Sequence, residues 1–230
     1  MVGSGYLYLM ERLLRRGDCV IDVGVNVGYF SALASCKVSL GGKVHSIEAS
    51  PLMMERLKPM VEEVPDGPIR VYHSAVWKNS GTLQFKVATN SGWSSLIEND
   101  TFTTQTQVEV QAITLDEFVA RENIKTVKLI KLDIEGAEMD ALIGAAKLLS
   151  EAKVDFLLIE VEPFRLKAFG HSGQEMANLL DKYNYRPVCI ILSDVILPIT
   201  EKNLIPGASN CDYLYVRNEL FNVASDAIWK

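Results

Sequence analysis

The sequence has 230 residues, a length that suits one large α/β domain. Apolar residues make up 48% and charged residues 23% of it, which excludes a disordered, collagen-like or disulfide-dense chain. The net charge is −6 and no basic run occurs, so the sequence offers no source for the phosphate neutralisation that nucleic-acid binding needs. A small-molecule acceptor fits this charge better than a polyanion does.

The sequence shows no signal peptide and no apolar run of the ~18 residues that a membrane span needs. Its four cysteines, Cys19, Cys36, Cys189 and Cys211, lack CxxC spacing and lie in apolar segments. We therefore expect buried reduced thiols, a cytoplasmic location and no membrane partner. The oligomeric state is not indicated by the sequence.

The first third of the chain alternates helical and strand patterns. The predicted elements are a helix (4–16), a strand (19–23), a helix (26–40), a strand (43–48), a helix (51–63, capped by Ser50) and a strand (69–76). This order predicts a parallel sheet with right-handed crossovers and helices on both of its faces.

Two segments, 81–87 and 107–113, alternate apolar and polar residues and predict an antiparallel insertion over about 81–113. The polar loop between them, 89–106, contains Trp93, which could close over an acceptor. The α/β order then resumes with a helix (114–121), a strand (127–134), a helix (136–150), a strand (154–161), a helix (173–183) and two strands (185–192 and 211–216). We expect a single domain over residues 1–230.

A loop with two glycines, Gly24 and Gly28, joins the first strand to the next helix. Glycine permits a sharp turn and a close approach to a ligand, and the helix N-terminus supplies unpaired N–H groups. Glu48 ends the second strand, where an acidic side chain can bind the hydroxyls of a ribose. The pattern predicts a nucleotide site, with a plain strand-to-helix turn as the structural alternative.

The side chains of this loop favour S-adenosylmethionine (SAM) over a dinucleotide. Asn26 and Tyr29 occupy positions where the dinucleotide fingerprint has small residues. Asp22 would repel a diphosphate but attract the ammonium and sulfonium groups of SAM. A NAD-dependent oxidoreductase and a non-catalytic SAM-binding protein remain as alternatives.

The segment KLDIEGAE (131–138) places Lys131, Asp133 and Glu135 in alternation at the end of a buried strand. If the strand stays extended, all three side chains project toward one face. Repulsion and burial should then raise at least one carboxyl pKa, as a general base requires, while Lys131 offsets part of the charge. A structural ion pair is the alternative.

Three more acids lie at the end of this segment and beyond it. Glu138 falls in the first turn of the next helix, where it serves either the site or the helix dipole. Glu160 and Glu162 end the next strand, so up to four carboxylates could converge and bind a divalent cation. We do not favour a metal site, because solvated acids at strand ends need no metal.

The two motifs together resemble the FkbM family of SAM-dependent methyltransferases. DVGVNVGYF (22–30) is similar to the family's DxGxNxG loop, and KLDIEGAE (131–138) to its KxDxEGxE signature. SGWSSL (91–96) and VQAITLDEF (110–118) also match the family's pattern. The resemblance extends from about Gly17 to about Glu162.

The resemblance implies the class I methyltransferase architecture, a Rossmann-like three-layer sandwich whose mostly parallel seven-stranded sheet has an antiparallel last strand. It also implies methyl transfer from SAM to a hydroxyl oxygen of a sugar or a natural-product intermediate. The candidate cofactor-binding residues are Asp22, Gly24, Asn26, Gly28 and Tyr29 near the methionine end, Glu48 at the ribose, and Ser74 and Ala75 near the adenine. The candidate catalytic residues are Asp133, Glu135 and Lys131.

Overall fold

The computed structural model describes residues 4–88, 105–201, 204–206 and 210–230. Within these residues the helices are α1 (Ser4–Leu13), α2 (Tyr29–Val38), α3 (Pro51–Glu62), α4 (Leu115–Arg121), α5 (Glu138–Ile143), α6 (Ala146–Ser150), α7 (Pro163–Ala168), α8 (Gly173–Lys182) and α9 (Phe221–Trp229). The strands are β1 (Cys19–Val23), β2 (Lys43–Glu48), β3 (Ile69–His73), β4 (Ala75–Val76), β5 (Gly81–Ala88), β6 (Gln105–Ile113), β7 (Val127–Leu132), β8 (Val154–Val161), β9 (Tyr185–Leu192), β10 (Val195–Pro198) and β11 (Cys211–Arg217).

The main sheet of the described chain has the strand order β10-β9-β11-β8-β7-β1-β2-β3. The strands from β3 to β8 in this order pair in parallel, whereas β11 is antiparallel to both β8 and β9. The expected mostly parallel sheet with an antiparallel last strand is therefore confirmed. The sheet also contains an eighth strand, β10, which the sequence pattern did not predict and which pairs antiparallel with β9 at the edge.

Both faces of the main sheet are covered by helices. One hydrophobic core joins the sheet to α4, α5, α7 and α8 and includes Ile130, Phe118 and Leu180. The other core joins the opposite face to α1, α2 and α9 and includes Leu129, Phe30 and Ile228. Burial on both faces explains why the central strands are mostly apolar instead of alternating between apolar and polar residues.

The predicted strand 69–76 is divided between two sheets. After β3 the Ser74 amide donates to the Glu48 carbonyl at 3.0 Å, and the Ser74 hydroxyl donates to the Gln111 carbonyl at 2.8 Å. The chain then leaves the main sheet, and β4 joins β6 and β5 in a three-stranded sheet. The antiparallel pairing of β5 with β6 agrees with the predicted insertion. Its expected loop and Trp93 lie outside the described residues.

Two predicted helices differ from the structure. The predicted helix 26–40 begins only at Tyr29, because the preceding residues form the glycine loop. The predicted helix 136–150 is interrupted at Gly144, where an added Cβ would lie 2.4 Å from the Trp77 carbonyl oxygen. Such close packing of backbone explains why a glycine stands between α5 and α6. The short helix α7 and the terminal helix α9 were not predicted.

The structure also bears on the burial of the cysteines and on membrane-spanning helices. Cys36 is exposed and Cys19 is half-buried, so the expectation of buried cysteines was wrong for these two residues, although all four cysteines are free thiols. Across the described residues, none of the helices has the length and apolar character needed to cross a membrane.

Gly24 lies where the loop after β1 touches the end of β7. Its φ is +83°, and an added Cβ would lie 1.8 Å from the carbonyl oxygen of Asp133. A side chain at this position would therefore force the two strand ends apart. Gly17 also has a positive φ, +89°, but nothing lies within 4 Å of the point that a Cβ would occupy there.

We expect Gly24→Ala to destabilise the protein by about 2–5 kcal/mol, because it adds a backbone overlap to the strain of a positive φ. Gly17→Ala is the matched control and should cost only about 1–2 kcal/mol, since it adds strain alone. Urea unfolding followed by circular dichroism measures both losses. Equal losses for the two variants would show that the contact with Asp133 is unimportant.

Candidate active site

A cleft lies at the carboxyl ends of β1, β2 and β7, the edge at which open α/β sheets bind ligands. Its empty volume is about 730 Å³, including the part open to solvent. The sequence-predicted residues that line it are Gly24, Asn26, Glu48, Ser74, Ala75, Asp133 and Glu135. Residues from both signature motifs therefore meet in one cleft.

Glu48 connects the glycine loop to the start of α3. One carboxylate oxygen accepts from the Asn26 amide at 2.9 Å, and the other accepts from the Ser50 amide at 2.8 Å. Burial raises the pKa of Glu48, against the lowering effect of these two hydrogen bonds. Each oxygen keeps a further lone pair, so the carboxylate can hold a ligand hydroxyl without losing its backbone contacts.

The remaining glycine-loop residues have different positions. Asn26 lines the cleft with a positive φ of 53°, a conformation that asparagine tolerates better than most residues. Gly28 and Tyr29 do not line it. A Cβ at Gly28 would lie 2.2 Å from the terminal methyl of Met60, so this glycine permits close packing on α3, and the Tyr29 side chain is exposed.

The wall of the cleft next to Glu48 is apolar. It is formed by Ile47, Met53, Val76 and Phe85, the last two from the second sheet. A flat purine can pack on such a wall while a ribose reaches Glu48. The donors, acceptors and apolar surface present here therefore fit the adenosine part of SAM.

The Asp22 side chain does not line the cleft, contrary to the expectation from the sequence. It is completely buried on the α2 side of the sheet, where Oδ2 accepts from the Ser31 hydroxyl at 2.6 Å. Burial raises its pKa, although Lys131 and Ser31 act in the opposite direction. Within the described residues its Oδ1 has no hydrogen-bond partner.

Lys131 is buried between two carboxylates. It is the register partner of Asp22 on the neighbouring strand, and its ammonium lies 2.5 Å from Oδ2 of Asp133. Burial alone would lower the pKa of Lys131, but Asp133 and Asp22 outweigh burial and raise it. The ammonium therefore stays charged, and it faces Asp133 rather than the cleft.

Asp133 lines the cleft with a side chain that is 33% exposed. Burial works against its ionisation, but Lys131 and hydrogen bonds from Glu160 and Lys131 hold the pKa of Asp133 below its ordinary value. The structure thus presents an ionised carboxylate to the cleft, and the rise in pKa expected from burial and repulsion is not found at Asp133.

Glu135 also lines the cleft, but its backbone differs from that of an extended strand. The strand ends at Leu132, and Glu135 has a positive φ of 59°, so the expectation that Lys131, Asp133 and Glu135 share one face was wrong for Glu135. Its carboxylate lies 3.1 Å from Nε of Arg165, which also binds Glu162 at 2.5 Å. Arg165 therefore holds Glu135 and Glu162 together at the start of α7.

Glu138 stabilises the turn between β7 and α5. Its Oε1 accepts from the amides of Ile134 at 2.9 Å and Gly136 at 3.2 Å. Burial raises the pKa of Glu138 to about 7. Of the two roles considered from the sequence, these contacts favour a structural one.

Two residues near the site were missed in the sequence analysis. Asp212 pairs in register with Glu160, and the Tyr6 hydroxyl of α1 donates to Oδ2 of Asp212. Burial raises the pKa of Asp212 to about 6. The acid inside the apolar segment CDYLYV was a signal for Asp212, but Tyr6 lies 206 positions away and has no local signal.

Among the described residues, no group of three His, Cys, Asp or Glu side chains has a metal-binding arrangement.

Two solved structures with a fold similar to that of this chain are described as methyltransferases. Methyltransferase FkbM from Methylobacillus flagellatus matches with a TM-score of 0.58 and 19% identity, covering 94% of this chain and 48% of that chain. A SAM dependent methyltransferase from Aquifex aeolicus matches with a TM-score of 0.51 and 16% identity, covering 94% and 89%. Similarity at this level of identity establishes the fold.

A curated relative, the hexuronic acid methyltransferase AglP of Haloferax volcanii, is 25% identical over 146 residues. The match covers 63% of this chain and 56% of the relative, so this chain spans little more than half the length of AglP. The sequence model of the methyltransferase FkbM domain matches residues 22–187, which include the glycine loop, the cleft residues and the acids after β7. This chain therefore belongs to the FkbM methyltransferase family.

Proposed function

We propose that this protein transfers a methyl group from SAM to a hydroxyl oxygen of a small-molecule acceptor, with a sugar as the favoured class. The observation that carries the proposal is that Asp133, ionised beside Lys131, lines the same cleft as Glu48. Membership of the FkbM family supports methyl transfer over the oxidoreductase alternative.

The adenosine half of the cofactor would be held by Glu48 and by the apolar wall of the cleft. Glu48 accepts hydrogen bonds from the ribose hydroxyls, while Ser74 and Ala75 lie at the adenine end. Asn26 and Gly24 bring backbone groups of the glycine loop to the methionine end. Asp22 acts from beneath the loop through its charge, since its side chain does not enter the cleft.

The acceptor half of the reaction is assigned to Asp133. Bound SAM supplies an electrophilic methyl group: the carbon–sulfur bond breaks with its electrons on sulfur while the carbon–oxygen bond to the acceptor forms. Asp133 orients the acceptor hydroxyl and takes up its proton. Lys131 keeps this carboxylate ionised before the reaction, and Glu135 is paired with Arg165.

The sugar class is supported by a relative and by the cleft. AglP is named a hexuronic acid methyltransferase, and it shares 25% identity with this chain over 146 residues. A hydroxyl acceptor also suits a carboxylate that accepts a proton. We therefore propose glucuronic acid glycosides as the first acceptors to test.

We expect Glu48→Gln to weaken binding of S-adenosylhomocysteine by about 10- to 100-fold, because the amide turns a donor toward a backbone N–H and loses an acceptor for the ribose. Isothermal titration calorimetry measures the affinity. Glu62→Gln is the control, since Glu62 is exposed on α3 and away from the cleft. Unchanged affinity in Glu48→Gln would refute the ribose assignment.

We expect Asp133→Asn to keep the affinity for S-adenosylhomocysteine and to lower kcat by about 10²- to 10⁴-fold, because the amide cannot accept a proton. Radiolabelled methyl transfer from SAM to para-nitrophenyl glucuronide provides the assay. Glu135→Gln removes the same charge from the same turn and should lower kcat much less. A fully active Asp133→Asn variant would remove Asp133 from the mechanism.

Binding and transfer together separate the proposal from its alternatives. Tight binding of S-adenosylhomocysteine with no methyl transfer to any sugar, polyketide or peptide acceptor would support the non-catalytic alternative. A change in NADH fluorescence on mixing, without SAM binding, would support the oxidoreductase alternative.

A further inference from the structure

Three carboxyl side chains from three adjacent strands form a row at the carboxyl edge of β7 and β8. The last register pair of β7 and β8 joins Leu132 to Ile159, so Asp133 and Glu160 are the next residues on their strands. Glu160 is in turn the register partner of Asp212 on β11. We call Asp133, Glu160 and Asp212 the carboxyl row.

The strand register brings Glu160 next to Asp133, and the two side chains lie close enough for a hydrogen bond between them to lower the pKa of Asp133 and raise that of Glu160. Two ionised carboxylates only accept hydrogen bonds, so this contact requires a proton on one of them. Lys131 lies 2.5 Å from Oδ2 of Asp133 and favours the negative charge there. On its other side Glu160 faces Asp212, a second acid, so the proton is better placed on Glu160 than on Asp133.

A buried acceptor also lies on the strand next to this row. Oδ1 of Asp22 is fully buried and has no partner among the described residues, although its strand neighbour Lys131 binds Asp133. A buried carboxylate oxygen left unpaired costs free energy, and a donor from a bound ligand or a water would relieve this cost.

We propose that Glu160 is a positioning residue that works as a neutral acid, donating its proton to Asp133 and fixing the Asp133 carboxylate toward the acceptor hydroxyl. The inference rests on the proposed function, because it assigns a role in proton acceptance by Asp133. During methyl transfer the acceptor proton moves to Asp133, and the proton of Glu160 stays on Glu160. Asp133 has lone pairs for Lys131, Glu160 and the acceptor at once.

The charges around Glu160 keep it neutral. Burial, the charge of Asp133 and the hydrogen bond to it raise the pKa of Glu160 to about 10, with further contributions from Asp212 and Glu135. The other polar groups of this cluster are Lys131 of β7, whose ammonium is taken by Asp133, and Tyr6 of α1, whose hydroxyl donates to Asp212. Neither of them donates to Glu160 in the structure.

The direct test is carbon NMR of the protein labelled with ¹³C at the glutamate carboxyl carbons. The Glu160 signal is assigned by its loss in Glu160→Gln. We expect the carboxyl carbon to keep the chemical shift of a protonated acid from about pH 6 to about pH 8 and to titrate near pH 10. An ionised Glu160 at neutral pH would overturn the proposal. The measurement is made on the folded wild-type protein and requires no acceptor.

The functional test compares two substitutions of Glu160. Glu160→Gln keeps a donor for Asp133, so kcat should stay close to the wild-type value and lose its fall above about pH 10. Glu160→Ala removes the donor and should lower kcat about 10- to 100-fold, with unchanged affinity for S-adenosylhomocysteine. An inactive Glu160→Gln would show that Glu160 must ionise and would overturn the proposal.

Failure of this inference is distinguishable from failure of the proposed function. A wild-type protein that binds no S-adenosylhomocysteine overturns both. A wild-type protein that binds it and transfers methyl groups, but in which Glu160 is ionised at neutral pH, overturns only the role of Glu160.

Discussion

The buried ammonium of Lys131, placed between Asp22 and Asp133, is the interaction on which the arrangement of the candidate site depends. Taking three charges out of water is costly, and the cost is offset only when the groups neutralise one another at short distance. Asp22 on β1 is the register partner of Lys131 on β7, so its charge acts on the ammonium across the two strands that precede the signature turns. Loss of the ammonium would leave the buried Asp22 and the partly exposed Asp133 without a countercharge.

This interaction also divides the carboxyl groups by their protonation. The ammonium of Lys131 favours the ionised form of the neighbouring Asp133, so Asp133 carries the negative charge. One strand further on, Glu160 is remote from the ammonium and close to other acids, so its neutral form is favoured. Pairs of carboxyl groups whose environments separate their pKa values in this way are typical of sites that handle protons.

The parallel sheet and the residues of the cleft could be predicted from the sequence because their signals are local. Buried strands such as 19–23 are short apolar runs, and Gly24, Glu48 and Asp133 follow such runs at fixed positions. The division of strand 69–76 could not be predicted, because it depends on the contact of Ser74 with Gln111 of a distant strand. The orientation of Glu135 was also inaccessible, since it depends on Arg165 and on a left-handed backbone at a non-glycine residue.

The contact between Tyr6 and Asp212 joins residues 206 positions apart, close to the two ends of the sequence. A second contact of α1, from the Tyr8 hydroxyl to the Ile228 carbonyl at 2.6 Å, spans 220 positions. Contacts of such long range form late, because the intervening chain must first be ordered. During synthesis on the ribosome, Asp133 and Glu160 therefore stay open to water until β11 supplies Asp212 and α1 packs against it.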